Sequence, residues 1–182
     1  MKSRKPFLIV LIVAAVGVLA GCASAPNRAA DVTESIRTSL AQASLKDVSV
    51  SQDRDKGVVT LSGHVAAESD KVQAESIAKS FSGNQVVANQ LAVIPVGAEA
   101  DAKKMNSALD DGIESNLDAA LIKAKLHDGV KFSVKNHVVT LSGEVNSQAK
   151  RDQTEKVAAA VLNVQQVVNE LQVKAQKATS SK

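Results

Sequence analysis

A six-residue string occurs twice in this chain. Val58-Val59-Thr60-Leu61-Ser62-Gly63 returns as Val138-Val139-Thr140-Leu141-Ser142-Gly143, and the match continues without a gap. Between residues 57–93 and 137–173, 15 of 37 positions are identical. A pattern written twice folds into the same unit twice. Two copies without a longer tandem array mean two small modules, not a solenoid.

Each copy reads helix, strand, strand, helix, strand. Val32, Ile36 and Leu40 recur at four-residue spacing, as do Ile113, Leu117 and Leu121, which marks an amphipathic first helix. Val48 and Val50, then Val130, Phe132 and Val134, mark a short strand. A polar turn follows, two residues longer in copy one. The shared Val-Val-Thr-Leu-Ser-Gly is the second strand. A second helix is expected over about 67–82 and 147–162, and a last strand over about 86–94 and 166–174. The helices should end at Gly83 and Asn163, the two residue types that best tolerate a left-handed C-cap.

The two copies also separate the faces. Val59, Leu61, Gly63 and Val65 are repeated in copy two, and so are Val87, Asn89, Leu91 and Val93. On the other face of the last strand, Val86, Ala88, Gln90 and Ala92 become Gln166, Val168, Glu170 and Gln172. One face tolerates change and the other does not, as in a sheet with helices on one side only. The expected class is α+β, with two tandem αββαβ modules, each a three-stranded mixed sheet with two helices on one face. Domains of about 65 residues are marginal alone, so the modules should pack together. Asn89 and Asn169 lie on the apolar side and should satisfy backbone groups.

The organisation that follows is a signal peptide at 1–21, a tether at 22–30, modules at 31–95 and 107–174 with a linker at 96–106, and a disordered tail at 175–182. Lys2, Arg4 and Lys5 precede an uncharged apolar run that ends in small residues. The run from Pro6 to Ala20 is too short for a hydrocarbon core that needs about 20 residues. The leader holds three of the 22 basic residues and no acid, which leaves 19 of each sign. The net charge of +3 thus belongs to the leader, and no electrostatic footprint for nucleic acid remains. The single cysteine, Cys22, excludes an intramolecular disulfide.

Two resemblances add to this reading. Leu19-Ala20-Gly21-Cys22 resembles a bacterial lipobox, which implies acylation of Cys22 and cleavage before it. Ala23 in place of Asp then implies the outer membrane of a Gram-negative envelope, facing the periplasm. The modules resemble the BON domain in their element order, in Val-x-Leu-x-Gly-x-Val and in Val-x-Asn-x-Leu-x-Val. The usual Pro-Gly before the last strand is absent. A lipobox before two such modules is similar to dual-BON outer-membrane lipoproteins, relatives of osmotically inducible periplasmic BON proteins. The resemblance implies phospholipid binding and support of envelope integrity, with no catalytic residues.

No enzyme chemistry is legible. His64, His127 and His137 have no metal-ligand spacing, and no nucleophile elbow or phosphate loop occurs. No metal and no cofactor are implied. Asp53-Arg54-Asp55 reads as a turn and Asp110-Asp111 as a helix start. With three Phe and no Trp or Tyr, base stacking is not expected.

The candidate site comes from comparing the copies. Ile122 stands where copy one has Ala41, turned away from the stripe of Ile113 and Leu117 and flanked by Lys123 and Lys125. A greasy group among lysines suits anionic headgroups. The family resemblance implies lipid contact on this same helix, which nominates Ile122, Lys123, Lys125 and Leu126. The alternative is packing of Ile122 and Leu126 within the fold. A second functional class, an adaptor docking through strand edges on unidentified envelope proteins, also fits.

Overall fold

The computed structural model describes residues 28–174. The expected signal peptide, Cys22, most of the tether and the 175–182 tail lie outside the described residues. Copy one runs α1 (Thr33–Gln42), β1 (Val48–Asp53), β2 (Val58–Val65), α2 (Glu68–Ser82) and β3 (Val86–Val93). Copy two runs α3 (Glu99–Lys123), β4 (Val130–Lys135), β5 (Val138–Val145), α4 (Gln148–Ala159), β6 (Gln166–Asn169) and β7 (Gln172–Val173). The repeated strand is the middle one in both sheets. It pairs antiparallel with β1 or β4 and parallel with β3 or β6.

Burial follows the alternation. Val59, Leu61 and Val65 face Ile36, Leu40 and Ala74 in one core, and Val139, Leu141 and Val145 face Ile113, Leu117 and Ala158 in the other. Each fully buried Leu or Ile stabilises by about 1.5–3 kcal/mol over leaving it in water. Gly63 and Gly143 share φ +109, and a Cβ would meet the Asp47 carbonyl oxygen in one copy and that of Gly129 in the other. The repeated Ser-Gly therefore marks a close backbone approach.

The two asparagines repeat one hydrogen-bond set. Asn89 Nδ2 donates to Glu75 Oε2 (2.9 Å) and to the Lys71 carbonyl, while Oδ1 accepts from Leu91 N–H. Asn169 does the same with Glu155 (2.8 Å), Arg151 and Leu171. Each ties the last strand to the second helix, a structural role.

Four expectations need correction. Residues 99–106 of the linker are the first turns of α3, so only Pro95-Val96-Gly97-Ala98 lies between β3 and the helix. The run from Glu99 to Asp110 is rich in helix formers and has no proline, so nothing stops the helix extending back from Ile113. Asp110 and Asp111 therefore sit inside α3 and not at a helix start. The Asp110 carboxylate accepts from the backbone N–H groups of Asn136 and His137, both at 2.8 Å. The last strand of copy two is broken into β6 and β7, where the Arg151 guanidinium takes the outward carbonyls of Asn169 and Leu171. Finally, α4 ends at Ala159, although Asn163 does adopt a left-handed conformation, like Gly83.

The changeable face of the sheets is where the modules meet. Val58 and Ala88 of one sheet pack with Val138 and Val168 of the other. These are the same two positions in each copy, so the contact has pseudo-two-fold symmetry. The polar contacts repeat it. Lys56 Nζ bonds Glu170 (2.6 Å), and Asn136 Nδ2, from the position matching Lys56, donates to the carbonyl of Gln90, the position matching Glu170. Two contacts break the symmetry: Lys71 Nζ donates to Gln165 Oε1 (2.9 Å), whereas the matching Arg151 turns to the Leu171 and Asn169 carbonyls, and Gln166 reaches the backbone of β3. Gln166 Oε1 accepts from Asn89 N–H (3.0 Å) and its Nε2 donates to the Val87 carbonyl (2.6 Å).

Candidate functional site

The end of α3 is built by the helix stop. Lys125 takes φ +56, its N–H bonds the Ile122 carbonyl (3.0 Å), and Leu126 N–H bonds the Leu121 carbonyl (2.9 Å). This is a Schellman arrangement, which brings the residue after the left-handed position back onto the helix. Copy one stops α1 in the same way, with Ser44 at φ +64, Ser44 N–H on Ala41 and Leu45 N–H on Leu40.

That stop decides which of the nominated residues are at the surface. Leu121 is fully buried, and Ile122, one residue on, is 57% exposed. Lys123 and Lys125 are exposed as well. Leu126 is not: it is 4% exposed and packs in the core with Leu117, Leu121 and Val130. As the hydrophobic partner of the helix stop it serves the fold, and it is corrected out of the surface set. Its counterpart Leu45 carries the signal, since a residue needed by both copies belongs to the shared architecture.

The electrostatics favour the two lysines. Among the described residues, neither Lys123 nor Lys125 joins an ion pair. Asp118, the acid one turn earlier, is taken by His127 Nε2 at 3.1 Å. Copy one has Ala41, Gln42 and Ser44 at the matching positions, so it offers neither the greasy group nor the charge. The arrangement places one exposed isoleucine and two lysines without an ion pair among the described residues at the end of α3. Such a set suits contact with an interface carrying negative charge.

The other candidates resolve structurally. Asp53 Oδ1 accepts from Asp55 and Lys56 N–H, which makes the expected turn. His64 is exposed, and His137 lies in the two-residue turn between β4 and β5 with its Nε2 buried and, among the described residues, without a partner. Among the described residues, no group of three or more His, Cys, Asp or Glu could hold a metal ion, and no helix is long and apolar enough to cross a membrane. β1 and β4 each pair on one side only. Among the described residues no further strand pairs on their outer edges; on β1 Arg37 donates to the Val50 carbonyl (3.0 Å), and on β4 Lys131 and Lys135 stand exposed.

Comparison with known proteins follows the same two units. The profile of the BON domain matches residues 28–95 and again residues 109–175. The chain belongs to the BON domain family. It is 34% identical over 135 residues to osmotically-inducible protein Y of Escherichia coli, a match that covers 71% of this chain and 64% of that relative. Among solved structures it is similar to CdsD, a structural protein of the type III secretion system of Chlamydia trachomatis. That match has 14% identity and a TM-score of 0.31, and covers 77% of this chain and 60% of the other. The C-terminal domain of CdsD gives 13% identity and a TM-score of 0.33, covering 78% and 67%. Likenesses at that level lie below what a shared overall structure requires. The BON assignment rests on the paired domains, and the second BON domain is the one that carries Ile122.

Proposed function

We propose that this chain is a non-catalytic lipoprotein of the cell envelope, held by acyl chains on Cys22 at the periplasmic face of the outer membrane. Its second BON domain binds anionic phospholipid through Ile122, Lys123 and Lys125, and the protein supports envelope integrity or stress tolerance. The observation that carries the lipid reading is the exposed Ile122 followed by Lys123 and Lys125, neither of them in an ion pair among the described residues, at a place where the first domain has neither an isoleucine nor a lysine. An apolar side chain entering the headgroup boundary, with cations at its sides, is the physics of interfacial binding. Each lysine near an anionic surface adds about 1 kcal/mol. The osmotic induction named for the Escherichia coli relative supports a stress role.

The test is association with anionic vesicles. Ile122→Asp should abolish it while the fold survives; unchanged association would remove these residues from the site. Acylation is tested separately by labelled palmitate, which Cys22→Ser should no longer take up. A second reading, a docking adaptor for envelope proteins, is favoured by the outer edge of β1, on which no other described strand pairs. Absence of vesicle binding, together with a partner crosslinked through β1, would select it.

A further inference from the structure

The last residues of the expected tether are not free. Ala29 N–H bonds the Arg54 carbonyl (2.9 Å), and Arg54 Nε returns a bond to the Ala29 carbonyl (2.8 Å). Gln52 Nε2 (2.7 Å) and Gln85 Nε2 (3.1 Å) both donate to the Ala30 carbonyl. Arg28 pairs with Asp55 at 2.7 Å. The point at which the chain leaves the first domain is thus fixed, at the end formed by the β1–β2 turn and the start of β3.

A groove of about 570 Å³ opens at that same point. Ala29, Val32, Phe81 and Val86 contribute its apolar lining. Phe81 is 41% and Val86 45% exposed, unusual for side chains of this kind placed together. Of the cations around the rim, Arg28 is paired by Asp55 and Lys56 by Glu170, while Arg54 donates to the neutral Ala29 carbonyl and keeps its charge. The groove therefore offers apolar contact beside one cation, Arg54, that joins no ion pair among the described residues.

Only residues 23–27 separate Cys22 from the pinned Arg28. Six steps of chain reach about 20 Å at roughly 3.3–3.6 Å per residue. If Cys22 is held at a membrane, the rim of this groove is held within that distance of it. We propose that the groove is a second, anchor-proximal membrane contact, in which Phe81 and Val86 lie in the headgroup boundary of the bilayer. This rests on the reading that Cys22 is membrane-held, and not on the lipid site of the second domain. Its chemistry differs from that site: an aromatic and a branched aliphatic side chain carry it, beside one rim cation in place of two lysines.

The chain has no Trp or Tyr, so an introduced indole is a unique reporter. A chain beginning at Cys22 keeps both domains and has one thiol, which couples it to maleimide-headgroup lipid in zwitterionic vesicles. That coupling holds the protein at the bilayer whether or not cells acylate it, so failure of the acylation reading, seen by palmitate labelling, stays distinguishable. Phe81→Trp should show blue-shifted emission and lose it to brominated lipid. Val86→Trp, on the same groove, should report the same loss should Phe81→Trp fold poorly. Val72→Trp, exposed near the other end of α2, should keep its emission. Quenching that persists in an Ile122→Asp background supports the groove as an independent contact. Emission at Phe81→Trp and Val86→Trp that ignores brominated lipid, equal quenching at Val72→Trp, or loss of quenching with Ile122→Asp would each overturn it.

Discussion

Gln166 lays its side-chain amide against the backbone of Asn89, with Oε1 accepting the Asn89 N–H at 3.0 Å. The same amide donates to the Val87 carbonyl, so one side chain does what one peptide unit of a neighbouring strand would do. β3 is the outer strand of its sheet, and this places a stopper on its free edge. Gln166→Leu should cost about 1–3 kcal/mol, because it leaves the Asn89 N–H without its partner. Chemical denaturation measures this. A shift confined to the domain contact should also split one unfolding transition into two.

The turn between β4 and β5 has both central residues left-handed, Asn136 at φ +47 and His137 at φ +65. Such turns favour Asn-Gly. Histidine is strained there, and Asp110 compensates by accepting both N–H groups. Asp110→Ala should therefore destabilise by about 1.5–3 kcal/mol, the range for bonds to a charged group. His137→Gly relieves left-handed strain of roughly 1–2 kcal/mol against a glycine entropy cost of roughly 0.5–1 kcal/mol, so it should stabilise by about 1 kcal/mol or less. Thermal melts of the two variants should move in opposite directions.

Neighbouring residues at the end of α3 give the sharpest contrast. Leu126→Ala should cost about 2–5 kcal/mol, as expected for a buried leucine. Ile122→Ala should stay within about 0.5 kcal/mol, as expected for an exposed side chain without fixed partners. If Ile122→Ala destabilised like Leu126→Ala, Ile122 would be a packing residue and the lipid site would lose its centre.

The turn that pins the tether responds to acid. The Lys56 backbone N–H holds the Asp53 carboxyl below the ordinary value of 3.8 against the opposing cost of burial, and the Lys56 ammonium and the Asp55 N–H add to the lowering. A depressed folded value means that the stability it adds is complete above that ordinary value. It is lost as pH falls through the lower, folded one. Asp53→Asn keeps an oxygen acceptor without a titrating charge, so its stability curve should be flatter than the parent's in this acid range. Parallel melts against pH would check this.

How far the sequence can be read depends on whether a residue works within one copy or between them. Ile36, Leu61 and Asn89 do the same work as Leu117, Leu141 and Asn169, so comparison of the copies exposes their roles. Gln166, Glu170 and Asp110 escape that comparison. The first two act across the domain contact, where the copies must differ, and such differences look like surface tolerance. Asp110 acts on a turn 26 residues away, a distance at which local pattern carries no signal. In the candidate site, Ile122 stands out against Ala41. Leu126 is legible only through Leu45, whose place in the helix stop becomes visible once backbone angles are known.

The pseudo-two-fold contact has a further consequence. The pairs Lys56–Glu170 and Asn136–Gln90 are one self-complementary contact formed between halves of a single chain. Covalent linkage through α3 gives each half an effective concentration around the other on the order of millimolar. A contact too weak to dimerise separate subunits is therefore enough to close this one. With closure secured by the linkage, either half was free to change its own side of the contact, and only one half carries the glutamine.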